Sequence, residues 1–348
     1  MLSIIDNQGF KIDGWKLTAR FLRRMGINLG MSSAILQPVP DEPEKGQIVV
    51  NSTKHNSGKL SRVSCSFVGG AFNLALSRFP RTVRIETTNA CNAKCVICPH
   101  REMQRPVCNM DDALYEKIID ECSEYNCGTV HLHNFGEPLL DKKLAGRVRY
   151  AKQKGIKRVA IFSNGSLLTS EKASELMDAG LDQIKVSFDG ATSEEFEKIR
   201  FPLKFETVIE NIKELVRIRN LKKSPLKIKV ACCSTSDKNE TIRSLENCVD
   251  GFSFGKVHNW SDSGMDHEER STIRKPCSRV WQTFTVLSNG KVALCCLDYE
   301  GQVILGDVNK ASIFEIWKNE SYKKIRSLHK TARQDQIVIC NNCTKSFW

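Results

Sequence analysis

ETTNACNAKCVICPH, residues 86–100, places Cys91, Cys95 and Cys98 in a C-x3-C-x2-C arrangement directly after the strand-like run TVRIETT (82–88). Structural zinc sites take four ligands, usually as two close pairs. Ordinary four-cysteine clusters want a fourth thiolate. A trio of close thiolates instead holds three irons of a cubane and leaves the fourth open, where the amine and carboxylate of a small molecule can chelate. From the same stretch a rhythm begins. TVHLHNF (129–135), KRVAIFS (157–163), DQIKVSF (182–188), LKIKVACC (226–233) and GFSFGKVH (251–258) read as further strands. Helical stretches at 111–124, 141–155, 169–180, 192–220 and 238–248 separate them. Such alternation demands right-handed crossovers and a parallel sheet covered by helices. Six units are too few to close an eight-stranded barrel. The expected fold is therefore α/β, an open, curved, partial (β/α)6 barrel with ligands at the carboxyl ends of its strands.

On either side of the rhythm the character changes. Residues 1–80 read as an N-terminal extension of unknown role, with a basic-faced amphipathic helix within 14–30 and an irregular, turn-rich segment over 32–64. Residues 259–348 form the third expected domain, after a barrel domain over 81–258. VWQTFTVLSNGKVALCC (280–296) reads as a hairpin in which Asn289 and Gly290 supply the two positive-φ residues of a tight turn. SIFEIWKNESYKKIRSLH (312–329) reads as one amphipathic helix.

The formal charge is +12 and hydrophobic residues make up 41%. Lys and Arg are interleaved with acids, and runs such as LKKSPLKIK (221–229) read as a helix end leading into a strand. No specific nucleic-acid partner is expected; an anionic small substrate or simple solubility accounts for the surplus. No apolar run of about 18 residues is present, so no membrane span is expected. The charged N-terminus lacks the apolar centre of a signal peptide, so a cytoplasmic location is expected. There, 15 cysteines argue for metal binding rather than disulfides. Cys65, Cys108, Cys122, Cys127, Cys232, Cys233 and Cys248 lack ligand-like spacing and read as small buried apolar residues.

Given the trio and its position, the chain resembles the radical S-adenosylmethionine (SAM) superfamily. Further stretches carry the resemblance in order along 81–258. Gly136-Glu137-Pro138, ending the second strand, matches the GEP motif whose backbone and acid hold the SAM amine. Ile97 matches the position that packs on adenine. Ser163-Asn164-Gly165 and Ser187-Phe188-Asp189-Gly190 look like the strand ends that contact the SAM ribose and carboxylate. Arg200, after FEKI, resembles an arginine that pairs with the SAM carboxylate, a partner suited to its planar fork. Each of these alone could equally be a turn or cap. The resemblance implies a [4Fe–4S] cluster on Cys91, Cys95 and Cys98, with SAM on the open iron. It implies that one electron, from an external donor such as flavodoxin or ferredoxin, cleaves SAM. The resulting 5′-deoxyadenosyl radical then takes a hydrogen atom from substrate.

A second group follows. Cys277-x12-Gly290-x4-Cys295 and the terminal Cys340-x2-Cys343 can meet as four ligands, and zinc or [4Fe–4S] fits such a quartet equally well. The C-x12-G-x4-C element resembles the start of the SPASM and Twitch auxiliary domains. Only five residues follow Cys343, so the match is to the shorter, Twitch-like form with one cluster. That resemblance implies a second [4Fe–4S] cluster on Cys277, Cys295, Cys340 and Cys343, without an open iron, serving as an electron relay. Cys296 leaves one ligand ambiguous by a residue; the spacing favours Cys295. A carbon radical beside a hydroxyl is acidic at oxygen, and losing a proton and then an electron makes it a carbonyl. The chain is thus similar to Twitch-type radical SAM dehydrogenases, which implies oxidation of an alcohol-bearing sugar, cyclitol or conjugate. The 80-residue extension departs from that pattern and leaves the substrate open. The alternative is modification of a peptide or protein, common among SPASM relatives. No catalytic residue is identified. His133, His258 and Trp260 are the candidate substrate contacts. His131 and His133 share one face of the GEP strand, where a satisfied core histidine is the competing reading; His258-Asn259-Trp260 ends the sixth strand. Arg270 and Arg274 could accept a proton or bind an anion, or be a solvated loop.

Overall fold

The computed structural model describes residues 78–246, 248–260 and 276–344, with five short strands before them. The chain divides into two compact units, Met1–Leu76 and Ser77–Trp348. In the first, β1 (Ile4–Ile5) pairs antiparallel with β2 (Lys11–Ile12). β3 (Ala34–Val39), β4 (Glu42–Val50) and β5 (Arg62–Ser64) form an antiparallel meander. This corrects the irregular segment expected over 32–64. The prolines and glycine there read as breakers, but Pro38 sits in edge strand β3, where proline is tolerated. The helix expected within 14–30 lies outside the described residues, as do Cys65, Arg270 and Arg274.

The second unit is built on a nine-stranded sheet. Its parallel part runs β6 (Thr82–Ile85), β7 (Thr129–His131), β8 (Arg158–Ser163), β9 (Gln183–Ser187), β10 (Lys227–Cys232) and β11 (Phe252–Phe254), each beside the next. Between them lie α1 (Asp112–Glu124), α2 (Leu144–Gln153), α3 (Ser170–Asp178), α4 (Ser193–Ile199), α5 (Phe205–Leu221) and α6 (Lys238–Arg243). This is the expected partial barrel. Strand alternation assigns the two faces. Val83, Ile85, Val130, Ile161, Ile184, Val186, Ile228 and Val230 are wholly buried in the core shared with the helices. Arg84, His131, Phe162, Lys185 and Lys229 take the opposite, inner face. Side-chain caps start the helices where Asp or Thr precedes them: Asp111 accepts from Leu114 N–H, Thr169 from Lys172 N–H and Thr192 from Glu195 N–H.

The C-terminal strands continue the same sheet. β12 (Thr283–Val286) runs parallel beside β6, and β13 (Lys291–Ala293) and β14 (Ile304–Asp307) follow antiparallel. α7 (Arg279–Gln282), α8 (Ile313–Lys318), α9 (Glu320–Lys330) and α10 (Val338–Asn341) complete the unit. Glu121 of α1 accepts both first N–H groups of α8, from Ile313 and Phe314, at 2.7 Å each. A carboxylate at a helix N-terminus is favourable, and here it docks the C-terminal segment on the barrel. Two expectations need correction. The hairpin turn is not a two-residue type: Gly290 has φ +83 but Asn289 stays out of the left-handed region, and Gly290 N–H bonds Leu287 O at 2.9 Å. That is a three-residue loop closed by a left-handed glycine. The helix at 312–329 breaks at Asn319, which ends α8 and caps α9 by accepting Tyr322 N–H at 2.9 Å. Among the described residues no helix is long and apolar enough to cross a membrane.

Candidate functional site

The cysteine trio leaves the end of β6 in a loop pinned by the end of α4. Lys94 N–H bonds Phe201 O at 2.7 Å, Val96 N–H bonds Ile199 O at 2.9 Å, and Cys98 N–H bonds Cys95 O at 3.1 Å. Cys95 is buried, and Cys91 and Cys98 are half-buried. Burial, then the neighbouring thiols among other charges, pushes Cys91 up to about 12; burial first also pushes Cys98 up to about 11. Thiols in that state need a cation to displace their protons, which bound iron does. Arg200 stands beside the trio. Its Nη1 lies 3.9 Å from Cys95 Sγ, and its Nε and Nη2 both donate to Asp189 Oδ2, the former at 2.7 Å. Asp189, fully buried, accepts Cys233 and Ser234 N–H on Oδ1 at 2.5 and 2.9 Å. Arg200 and Asp189 thus clamp the cysteine loop to the ends of β9 and β10.

The GEP turn closes the other side. Gly136 has φ +86, and a Cβ there would lie 2.6 Å from Ala90 O. Only glycine admits this approach, and it lets Glu137 N–H bond Ala90 O at 2.7 Å, one residue before Cys91. The Glu137 carboxylate accepts Ser163 Oγ–H at 2.7 Å, Leu139 N–H at 3.1 Å and Asn164 N–H at 2.6 Å. Three of its roughly four acceptor positions are so used, leaving one for a further donor such as an ammonium. Pro138 opens a short turn, Pro138–Leu140. Asn164 Nδ2 donates to Asn92 Oδ1 at 2.8 Å, tying the end of β8 to the cysteine loop. Ser187 ends β9, half-buried on the inner face.

The other four cysteines gather around α7 and α9. Arg279 lies close enough to Cys296, Cys295, Cys277 and Cys343 for each to raise its pKa, although burial opposes this. His329, buried on α9, accepts Cys277 N–H on Nδ1 at 3.2 Å and has Nε2 3.7 Å from Cys340 Sγ. With Nδ1 accepting, the ring proton belongs on Nε2, facing the sulfur. Cys295 has Cys340 for a neighbour. Cys296 turns instead to Arg279 Nη1, at 2.9 Å, and to Arg84; burial raises its thiol, but the two guanidiniums outweigh that and hold it below its usual value. Among the described residues no three His, Cys, Asp or Glu side chains converge on a single metal ion. A cubane's thiolates stand farther apart than those of one tetrahedral ion.

The Radical SAM superfamily model matches residues 85–225, and the SPASM iron–sulfur cluster-binding domain model matches residues 277–344. The chain carries a radical SAM domain followed by a SPASM segment. The chain is 33% identical over 178 residues to a probable GTP 3′,8-cyclase of Methanopyrus kandleri, covering 51% of its own length and only 54% of that relative. It is 23% identical over 264 residues to an S-adenosyl-L-methionine-dependent 2-deoxy-scyllo-inosamine dehydrogenase of Niallia circulans, covering 75% of this chain and 91% of the relative. Among solved structures, BtrN in complex with AdoMet and 2-DOIA matches with TM-score 0.57 at 19% identity, over 77% of this chain and 94% of BtrN. Streptococcus suis SuiB bound to precursor peptide SuiA matches with TM-score 0.61 at 13% identity, over 90% of this chain and 81% of SuiB. At such identities the two structures speak for the fold alone.

Two features of the radical SAM site went unread in the sequence. Glu86, wholly buried at the end of β6, takes a bidentate pair from Arg105 at 2.9 and 3.0 Å. It also accepts Ser288 N–H, Ser288 Oγ–H, Asn134 Nδ2–H and Phe135 N–H at 3.0–3.3 Å. One carboxylate thus joins the cysteine loop, the GEP strand and the hairpin turn. Its only signal was an acid directly following a strand. The second feature is a strap. Trp260 Nε1 donates to Ile97 O, inside the cysteine trio, at 2.9 Å, while Asn259 Nδ2 donates to Asn342 O, inside Cys340-x2-Cys343, at 2.5 Å. His258 stands 5.2 Å from the Trp260 ring, and Phe135 5.5 Å. Ile97 itself is partly buried against the core. His133 is buried, with Nδ1 accepting Phe162 N–H at 3.1 Å and its ring stacked on Phe162 at 4.4 Å.

Proposed function

We propose that this radical SAM enzyme oxidises an alcohol-bearing small molecule, a sugar, cyclitol or conjugate, to a carbonyl compound. Cys91, Cys95 and Cys98 would hold the SAM cluster, and Cys277, Cys295, Cys340 and Cys343 an auxiliary [4Fe–4S] cluster. When bound, the reduced first cluster supplies the electron that cleaves SAM to the 5′-deoxyadenosyl radical. The chain's own residues do the rest of the positioning. Glu137 has one acceptor position left for the SAM amine, and Ser163, Asn164, Ser187 and Asp189 bring the strand ends together beneath it. Arg200, fixed by Asp189, keeps a positive charge on the Cys95 side of the site.

The reading is carried by the place of the second cysteine group, in which Cys277 precedes β12 and Cys295 follows β13, with Cys340 and Cys343 near the end of the described residues. β12 lies beside β6, the strand that leads into the trio. An electron leaving a substrate radical on the inner face would have an acceptor along the same sheet. The relative named as a dehydrogenase, aligned over 91% of its length, supports the same reading. In balance, SAM and substrate give methionine, 5′-deoxyadenosine and the carbonyl compound; the alcohol's C–H hydrogen goes to the nucleoside and its O–H proton to solvent. The first electron of the oxidation leaves with that hydrogen atom and the second passes to the auxiliary cluster; the electron that cleaves SAM is a separate input from a donor such as flavodoxin or ferredoxin.

Anaerobic reconstitution should load about eight irons per chain, two cubanes' worth. With dithionite and SAM the loaded enzyme should release 5′-deoxyadenosine. Deuterium placed on the carbinol carbon of the true substrate should appear in that nucleoside. Zinc in the terminal quartet with iron for one cluster would remove the relay. Deuterium arriving only from a peptide would move the substrate to that class.

A further inference from the structure

The inner face of the sheet carries two lysines, Lys185 and Lys229, that pair with no Asp or Glu among the described residues. The strand register sets them in neighbouring rows. Arg84 of β6 pairs with His131 of β7, Phe162 of β8 with Lys185 of β9, and Lys185 with Lys229 of β10. Lys185 and Lys229 are both partly accessible, whereas Arg84, three strands away, is engaged by the Cys296 thiol. Lys185 Nζ lies 4.9 Å over the Phe162 ring. Among the described residues neither lysine forms an ion pair with Asp or Glu. Asp189, just past the end of β9, is already committed to Arg200. Two lysines facing each other on adjacent strands, about 4.8 Å apart, repel unless something sits between them. The electrostatics agree with the geometry. His131 is pushed down to about 3 by burial and then by Arg84, Arg158, Arg279 and Lys185. Lys185 is lowered by burial and then by Lys229.

The place of the row fits a ligand rather than a structural role. Lys185 lies two residues before Ser187, about 7 Å along the strand from the carboxyl end where SAM is expected. A group held there would leave the rest of its molecule pointing toward the strand ends. A structural charge row would have carboxylates interleaved with it, as the outer helices do with Arg217 and Glu214 or Lys222 and Asp178. A site for a cationic amine would place an acid in the row, and none is there.

We propose that the substrate carries an anionic group, a phosphate or carboxylate, seated between Lys185 and Lys229. This rests on the inner face being the substrate side of the SAM site, and it narrows the substrate to an acidic sugar, a phosphorylated polyol or a similar conjugate. An amine-bearing aminocyclitol without an acidic group would meet only like charge there.

The test is a lysine-reactivity footprint on the full-length, anaerobically reconstituted enzyme, labelled with acetic anhydride and read by mass spectrometry. Sodium phosphate, sodium malonate and sodium chloride are compared at equal ionic strength, so the first two arms distinguish phosphate from carboxylate. Phosphate or malonate should slow labelling of Lys185 and Lys229 at least threefold, with no change at the exposed Lys142 and Lys213. The Lys229→Met variant, which keeps the aliphatic stem, should lose the protection at Lys185. Labelling of both lysines that is the same in all three salts overturns the proposal, as does full protection of Lys185 in Lys229→Met. Release of 5′-deoxyadenosine from the same sample is read separately. Protection without nucleoside release sinks the radical reading and keeps the anion site; release without protection does the reverse.

Discussion

Replacing Arg105 with alanine isolates the best-defined polar link in the site. Side-chain exposure is 9% for Arg105 and zero for Glu86, so the variant would strand a carboxylate in the interior. Removing one partner of a buried ion pair costs about 3–5 kcal/mol. The four remaining donors, from Ser288, Asn134 and Phe135 at 3.0–3.3 Å, still solvate part of the charge and favour the lower end, about 3 kcal/mol. Each kcal/mol moves Tm by about 2–4 °C in a protein of this size, so a fall of about 6–12 °C is expected. Thermal and urea unfolding of the cluster-loaded protein, followed by circular dichroism, would measure it. The double variant Arg105→Met, Glu86→Gln removes the uncompensated charge and should recover at least half of the loss. A cost below about 1 kcal/mol for Arg105→Ala, or a double variant no better than the single, would refute the reasoning.

Gly136→Ala should be damaging out of proportion to one methyl, because its Cβ would meet the Ala90 and Asn89 backbone at 2.6–2.8 Å in a left-handed conformation. A loss of about 1–3 kcal/mol and a lower iron content are expected; wild-type iron and Tm would count against the close approach. His329→Phe keeps the ring but strips Cys277 N–H of its acceptor and Cys340 Sγ of its N–H neighbour. The cost should be about 1–3 kcal/mol, with iron falling toward about four per chain as the auxiliary group weakens. Iron analysis showing full loading at unchanged stability would mean that His329 merely fills space.

The barrel was legible because its signals are local. Val83 and Ile85, Ile184 and Val186, and Ile228 and Val230 alternate with polar neighbours, and that period alone assigns each strand and its two faces. The trio was legible for a covalent reason, since three thiols within eight residues must share one loop. The misreadings came where a residue's meaning depends on its neighbours in space. Pro38 looked like a breaker because its edge position was invisible. Asn319 looked like an ordinary helical residue until the chain turned there and its side chain capped α9. Glu86 and Arg105 are 19 residues apart and meet because the cysteine loop folds back over the end of β6, while Glu137 and Ser163, 26 apart, meet because parallel strands end side by side. Of the expected SAM contacts, Glu137, Ser163, Asn164, Asp189 and Arg200 do converge, but largely on one another.

The strap at Asn259 and Trp260 makes the same point from energetics. Trp260 has φ +46, a left-handed conformation that costs a bulky residue on the order of 1–3 kcal/mol. Such a cost persists only where the surroundings over-determine it. Here two adjacent side chains donate in different directions, one into the cysteine trio and one into the terminal Cys-x2-Cys. Each such bond contributes about 1 kcal/mol, and the Trp260 ring adds contact with Phe135, so together they offset the strain. An extended residue at 260 would reverse the side-chain direction and could satisfy only one of the two carbonyls. The strained backbone thus adds a tie between the two cysteine groups to those made by the β6–β12 pairing and Glu86, and the relay proposed between them would need that separation held constant.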